Sequence, residues 1–302
     1  MKDFDASLLR HLFIPDSASH KGQNGRLLII GGSHLFHSAS LWSLKVASRI
    51  VDLVHYSSVS ENNAIVSKLK EEFRDGIVVS RSDIESYIEE DDCILIGPGM
   101  IRSEAAEIRN SKFEIRNLDD ILKIENEGVE TYFLTKYLLQ KYPKKKWVID
   151  AGALQMMEPE WITETMILTP HLKEFEGLWK RVKDENFGKT MEPLGLGDQV
   201  GLFAKEFNCI VLLKGHTDFV CHGNECFRIK GGNAGMTKGG TGDVLAGLVG
   251  GLYCQNEALL AASAASFINK KAGEDLYQNM GYWFNASDLA DQIPKTMRKL
   301  LL

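Results

Sequence analysis

"GRLLIIGGSHLFHSASLWSLKVASRI", residues 25–50, decides the fold. Its apolar run Leu27–Ile30 ends on Gly31 and Gly32, and a helical pattern begins at Ser38. A buried strand needs such a run, and glycines let the chain turn sharply out of it. The same events recur downstream. "DGIVVS" (75–80), "DCILIGPG" (92–99), "KWVIDAG" (146–152), "MILTPH" (166–171) and "CIVLLKG" (209–215) read as further strands. Continuous rather than alternating apolar strands belong to a sheet covered on both faces. Helical patterns fall at 38–53, 61–73, 104–140 with interruptions, 173–183, 195–207, 242–253, 257–273 and 286–300. Strand, glycine turn and helix in repetition predict an α/β fold: a doubly wound, mostly parallel sheet with helices on both faces. "DFVCHGNECFRI" (218–229) breaks the alternation and reads as a hairpin near the edge. No Gly/Pro/Ser-rich linker divides the chain, so one domain is expected over 1–302, with an extended helical insertion around 101–146.

The net charge of −6 argues against a general nucleic-acid or anionic-membrane binder, whose footprint would be basic. The basic run "KYPKKK" (141–146) reads as a solvated helix end. No stretch approaches the roughly 20 apolar residues of a membrane span. "MKDFDASLLRHLF" at the start lacks the apolar core of a signal peptide, so a cytoplasmic setting is expected. Five cysteines contain no CxxC. Cys209, in an apolar strand, is expected as a buried thiol. Cys221 and Cys226 flank "HGNE" and face each other across the hairpin; without an export signal neither a metal site nor a disulfide is expected there.

Open α/β sheets bind ligands at the carboxyl ends of their strands. The unusual residues stand there: Gly31-Gly32-Ser33, Gly97-Pro98-Gly99, Asp150-Ala151-Gly152, Thr169-Pro170-His171 and Lys214-Gly215. A further glycine run opens the apolar helix of "GGTGDVLAGLVGGL" (239–252). Glycines at a helix start let free backbone amides approach an anion, and the helix dipole favours it. Asp243, in the first turn, is then placed to take a proton from a hydroxyl that attacks a phosphate. Standing alone it would be an ordinary first-turn helix charge. The run is no Walker A loop, because no Lys-Ser/Thr follows the glycines.

These motifs carry a resemblance. "GGTGDVLAGL" resembles the anion-hole motif of the ribokinase-like superfamily. The chain is similar, more closely, to the ADP/ATP-dependent NAD(P)H-hydrate dehydratase family. "ILIGPGM", "WVIDAGAL", "ILTPHLKEFEGL", "IVLLKGHTDFV" and "GGNAGMTKGGTGDVLAGLVGGL" resemble its successive segments in order, over roughly residues 25 to 300. The resemblance implies repair of hydrated NADH or NADPH, whose ring hydroxyl is phosphorylated by ADP or ATP and then leaves as phosphate. It implies Asp243 as the base and the amides of Gly240, Thr241 and Gly242 as the anion hole. It places the nucleotide on Lys214, Gly215, His216, Thr217, Asp218 and Gly242. It places the hydrated dinucleotide on Ala39, Gly97, Gly99, His171, Asn233 and Asp243. Mg²⁺ would be held by water and phosphates with no protein ligand set. A homo-oligomer is implied, and no nucleic-acid or membrane partner. Glu174 is read as structural. The chain departs from the family pattern at Ile101 and Gly152, where the family carries glycine and aspartate, and at Ser38. Two other readings fit the glycine run: a small-molecule kinase that stops at the phosphorylated alcohol, and a nucleotide-binding module without catalysis.

Overall fold

In the computed structural model every residue but Lys112 is described, Glu185 by its backbone alone. The chain opens on a short strand, β1 (Lys2–Asp3), and enters the sheet centre through β2 (Arg26–Ile30). Then follow α1 (Ala39–Ala47), β3 (Leu53–Ser57), α2 (Ser60–Lys68), β4 (Ile77–Val78) and α3 (Ile84–Glu90). After β5 (Cys93–Ile96) come α4 (Ala105–Asn110), α5 (Leu118–Ile121), α6 (Glu127–Lys141) and β6 (Lys146–Ile149). Next are α7 (Ala151–Met156), β7 (Met166–Leu168), α8 (Leu172–Trp179), α9 (Glu185–Met191) and α10 (Leu196–Glu206). The chain closes with β8 (Ile210–Leu213), β9 (Asp218–His222), β10 (Glu225–Ile229), α11 (Thr241–Gln255), α12 (Ala258–Met280) and α13 (Ala286–Leu301).

The ten strands form one sheet in the order β1-β10-β9-β8-β7-β6-β5-β2-β3-β4. Only β9 runs against its neighbours, β8 and β10, as the first strand of the expected hairpin. The strand period of two splits each strand between two cores. Leu27 and Ile29 join the core under α1, α11, α12 and α13, while Leu28 and Ile30 join the core under α6, α7, α8 and α10. Of the 101–146 segment, α6 is the β5–β6 crossover and buries Val129, Leu134, Leu138 and Leu139 in that second core.

Chain order reverses between β2 and β5, and a crevice forms at such a switch point. Two glycine turns meet there. Gly32 donates its N–H to the Pro98 carbonyl at 2.7 Å. A Cβ on Gly97 (φ +121°) would lie 1.8 Å from the Asp150 carbonyl, so only glycine permits this packing.

Two expectations need correction. The helix expected over 38–53 stops at Ala47, and Leu53 already begins β3, which the helical reading hid. A disulfide joins Cys221 and Cys226 where free thiols are expected. The hairpin register sets the two residues directly opposite, with Cα atoms 4.2 Å apart.

Candidate active site

Sequence dictates where α11 must begin. Gly240 takes φ +93°, a left-handed conformation that a side chain resists, and caps the helix. The Thr241 hydroxyl donates to the carbonyls of Met236 (2.6 Å) and Lys238 (2.9 Å), which ties the glycine loop down. The N–H groups of Gly239, Gly240 and Gly242 donate to no other described residue. They are the orphan donors of a helix start, held at one point for an anion. Behind them α11 is buried from Val244 to Cys254 and packs on β2, β5 and β6, so the loop is anchored to the sheet centre.

Asp243 sits in that first turn, half-buried. Burial and the neighbouring Asp150 charge push its carboxyl up to about 7, against the pull of Lys214. A general base works best near that value. Lys214 ends β8 and donates to Asp150 Oδ1 at 2.7 Å, with Lys214 19% and Asp150 2% exposed in their side chains. Thr169 Oγ1 donates to the same oxygen at 2.8 Å. Burial works against the charge of Lys214, but Asp150 and Glu174 outweigh it and hold its pKa above the usual lysine value. Lys214 is therefore a fixed cation beside the base. We predict that Lys214→Ala leaves Asp150 buried without its partner and costs about 3 kcal/mol in denaturant unfolding. Adding Asp150→Asn to that variant restores part of the loss.

A cavity of about 630 Å³ opens beside this cluster. Lys214, Gly215, His216, Asp218, Asn233 and Gly242 are among its lining residues. Asp218 spends both oxygens on the protein. Oδ1 accepts from the Gly215 N–H at 2.8 Å and Oδ2 from Ser266 Oγ at 2.7 Å. It shapes the 214–217 loop from behind. Asn233 caps a short turn through Gly235 N–H and donates to the Gly273 carbonyl at 2.7 Å. The structure groups Asn233 with this cavity and not with Ala39, Gly99 and His171. Sequence reading missed Lys270 and Tyr282, which line the same cavity. Lys270 is 5% exposed, beyond the alanine-rich first half of α12; it holds the Gly215 carbonyl at 3.0 Å and Asp218 at 3.1 Å. A buried lysine in an alanine-rich helix was the available signal.

On the other side of Lys214, the strand ends of β2, β5 and β7 carry the remaining candidates. Ala39 begins α1, and a Cβ on Gly99 (φ +74°) would touch its methyl at 3.0 Å, so the two share one wall. Gly97 is tucked under Asp150 and makes the turn rather than a surface. His171 caps α8: its Nδ1 accepts the Glu174 N–H at 3.2 Å, while Glu174 Oε2 accepts the His171 N–H at 2.8 Å. Glu174 is thus structural, as read from the sequence. With Nδ1 accepting, the neutral ring carries its proton on Nε2. Gly152 stands against Met100, whose carbonyl oxygen would lie 2.2 Å from an added Cβ. The loop leading to Ile101 fills the space an aspartate would need there. His216 lines the cavity and is exposed, whereas Thr217, expected beside it, is half-buried and is not among the lining residues. Among the described residues no group of three His, Cys, Asp or Glu side chains could hold a metal ion. None of their helices is long and apolar enough to cross a membrane.

Comparison with known proteins places this geometry. A family model described as NAD(P)H-hydrate dehydratase matches residues 27–295. The bifunctional NAD(P)H-hydrate repair enzyme Nnr of Methanocaldococcus jannaschii is 34% identical over 289 residues, 94% of this chain and 50% of its own length. The chain therefore spans about half the length of such bifunctional relatives. The ADP-dependent (S)-NAD(P)H-hydrate dehydratase of Nitrosopumilus maritimus is 31% identical over 294 residues, 95% of this chain and 93% of its own length. A ribokinase-like superfamily protein from Enterococcus faecalis shares the fold, with TM-score 0.79 at 22% identity over 99% of this chain and 96% of its own. So does an ADP/ATP-dependent NAD(P)H-hydrate dehydratase from Bacillus subtilis co-crystallized with ATP/Mg²⁺, with TM-score 0.72 at 19% identity over 99% and 98%. The glycine loop with its half-buried aspartate is thus set in a known frame, and the chain belongs to the NAD(P)H-hydrate dehydratase family.

Proposed function

We propose that the protein restores NADH or NADPH from their hydrates, using a nucleotide as phosphoryl donor. The observation that carries the proposal is Asp243: a half-buried carboxyl pushed up to about 7, in the same helix turn as unpaired glycine amides, beside a fixed lysine and a nucleotide-sized cavity. The donor lies in the cavity with its phosphates toward Lys214 and the amides of Gly240 and Gly242, while the Thr241 N–H expected beside them is turned to the Lys238 carbonyl at 3.4 Å. The loop 215–217, held by Asp218 and Lys270, flanks it. The hydrated ring lies on the side of Ala39, Gly99 and His171, its hydroxyl toward Asp243. Asp243 takes the hydroxyl proton as the oxygen attacks the terminal phosphorus. With ADP the bond to the bridging oxygen breaks and AMP leaves. The ring then expels the phosphate with the former hydroxyl oxygen and loses a proton from the neighbouring carbon, which restores the double bond.

The relatives named ADP-dependent favour ADP as the donor. Mg²⁺ fits as a companion of the phosphates, whose charge it neutralises, since the described residues offer it no ligand cluster. A cytoplasmic setting and a homo-oligomeric assembly complete the proposal. Product analysis tests it. Hydrated NADH and ADP should yield NADH, AMP and inorganic phosphate one for one. A stable phosphorylated dinucleotide accumulating instead would make the protein a kinase.

A further inference from the structure

A second cavity, of about 290 Å³, opens between α7 and α8 on the His171 side of the catalytic cluster. Its charge is opposite to that of the chain, which carries −6 overall. Arg102, Lys173 and Arg181 line it, with a single carboxylate, Glu174. That carboxylate is already committed, to the His171 N–H at 2.8 Å and to Gln155 Nε2 at 2.8 Å. The cations are not so committed. Arg102 and Lys173 are exposed, and Arg102 spends one Nη on Gln155 Oε1 at 3.0 Å. Arg181 gives Nη2 to the carbonyls of Leu154 (3.4 Å) and Met157 (3.0 Å), and its buried Nε has no partner. His171 also lines the cavity; its capping bond through Nδ1 leaves the proton on Nε2, which stands 3.5 Å from Glu174 Oε1. The start of α8, whose capping box joins His171 and Glu174, closes the same wall.

The place of the cavity gives the anion its identity. His171 pairs with Lys214 across β7 and β8. The Glu174 charge also reaches both Lys214 and Asp243. The cavity is therefore next to the reacting centre, and on the side away from the nucleotide cavity. In a nicotinamide dinucleotide the pyrophosphate stands one ribose away from the ring. We propose that Arg102, Lys173, Arg181 and His171 bind the pyrophosphate of the hydrated dinucleotide and so hold its ring against Asp243. This rests on the dehydratase reading for the identity of the ligand, but the anion site itself does not.

Binding calorimetry with inorganic pyrophosphate tests it, with ADP present at saturation so that the nucleotide cavity is filled. Wild type should bind pyrophosphate, and R102A/K173A should bind it at least about tenfold more weakly, the loss of two charge-assisted contacts. Both residues are exposed, so the variant keeps its fold. NADPH, the stable unhydrated dinucleotide, should lose a similar factor, while ADP affinity stays within about twofold. Equal pyrophosphate affinity in variant and wild type would overturn the site. So would an equal loss for ADP, which would mark a general field effect. If pyrophosphate weakens but NADPH does not, the cavity serves another phosphate and the assignment to the dinucleotide fails. A wild type that binds pyrophosphate through these cations yet never restores NADH would sink the dehydratase reading alone.

Discussion

Asp243→Asn should abolish most turnover and at the same time strengthen the fold. Removing a general base costs about a thousandfold in kcat. ADP should bind within about twofold of wild type, because the amides and Lys214 remain. The wild-type rate should climb as pH rises through about 7, where the Asp243 carboxyl loses its proton, and the residual rate of the variant should show no such limb. Stability follows the same titration. An unfolded aspartate releases its proton near 4, whereas the folded one keeps it to about 7. Between those values the native state binds more protons than the unfolded state, so wild-type stability falls as pH rises, and it levels off above 7. Asparagine carries no such charge. Solvent still reaches part of the carboxyl, so the variant should gain about 2 kcal/mol at pH 8 and nothing at pH 4. Thermal unfolding at the two pH values reads this directly. An advantage that is the same at both would mean that the Asp243 charge costs the fold nothing.

Gly240→Ala should damage both fold and chemistry. The residue sits at φ +93°, and its new Cβ would meet the Trp42 ring at 2.4 Å and the Ala286 methyl at 2.8 Å. The left-handed backbone costs an alanine about 1–2 kcal/mol, and overpacking adds about as much, so about 3 kcal/mol is expected in all. Displacing the neighbouring amides should lower kcat by about a hundredfold, the loss seen when one oxyanion donor is removed. Gly239→Ala is the control. Nothing lies within 4 Å of its added methyl and its φ is not left-handed, so its stability should change by less than about 0.5 kcal/mol. If the two variants behave alike in denaturant unfolding, the packing account of the loop fails.

The parts of the fold that were legible in the sequence are those whose pattern is unbroken. β2, β5, β6, β7 and β8 are short apolar runs closed by glycine, proline or lysine, and each lies where it was expected. β3 was hidden because its residues, "LVHYS", include a histidine and a tyrosine after a helical stretch. His55 is nonetheless buried, since Asp91 holds its ring at 2.8 Å, a partner that lies 36 residues away. α7 was missed for a local reason: Ala151 enters it at φ +42°, straight from the Asp150 turn. At the site, the glycine loop, Asp243, Lys214 and His171 could be read because each ends a strand or starts a helix. The roles of Asp218 and Lys270 could not, because they come from a buried pair between β9 and α12 that no spacing announces. The cationic cavity was likewise invisible, since Arg102, Lys173 and Arg181 converge only when α7 and α8 pack.

The most direct test of the central claim follows absorbance at the reduced-nicotinamide band. Purified protein is mixed with hydrated NADH and Mg²⁺, with ADP, with ATP, or without nucleotide. The account predicts rising absorbance that requires a nucleotide, runs fastest with ADP and disappears in Asp243→Asn. No rise with either nucleotide, in a protein shown to bind ADP, would contradict it.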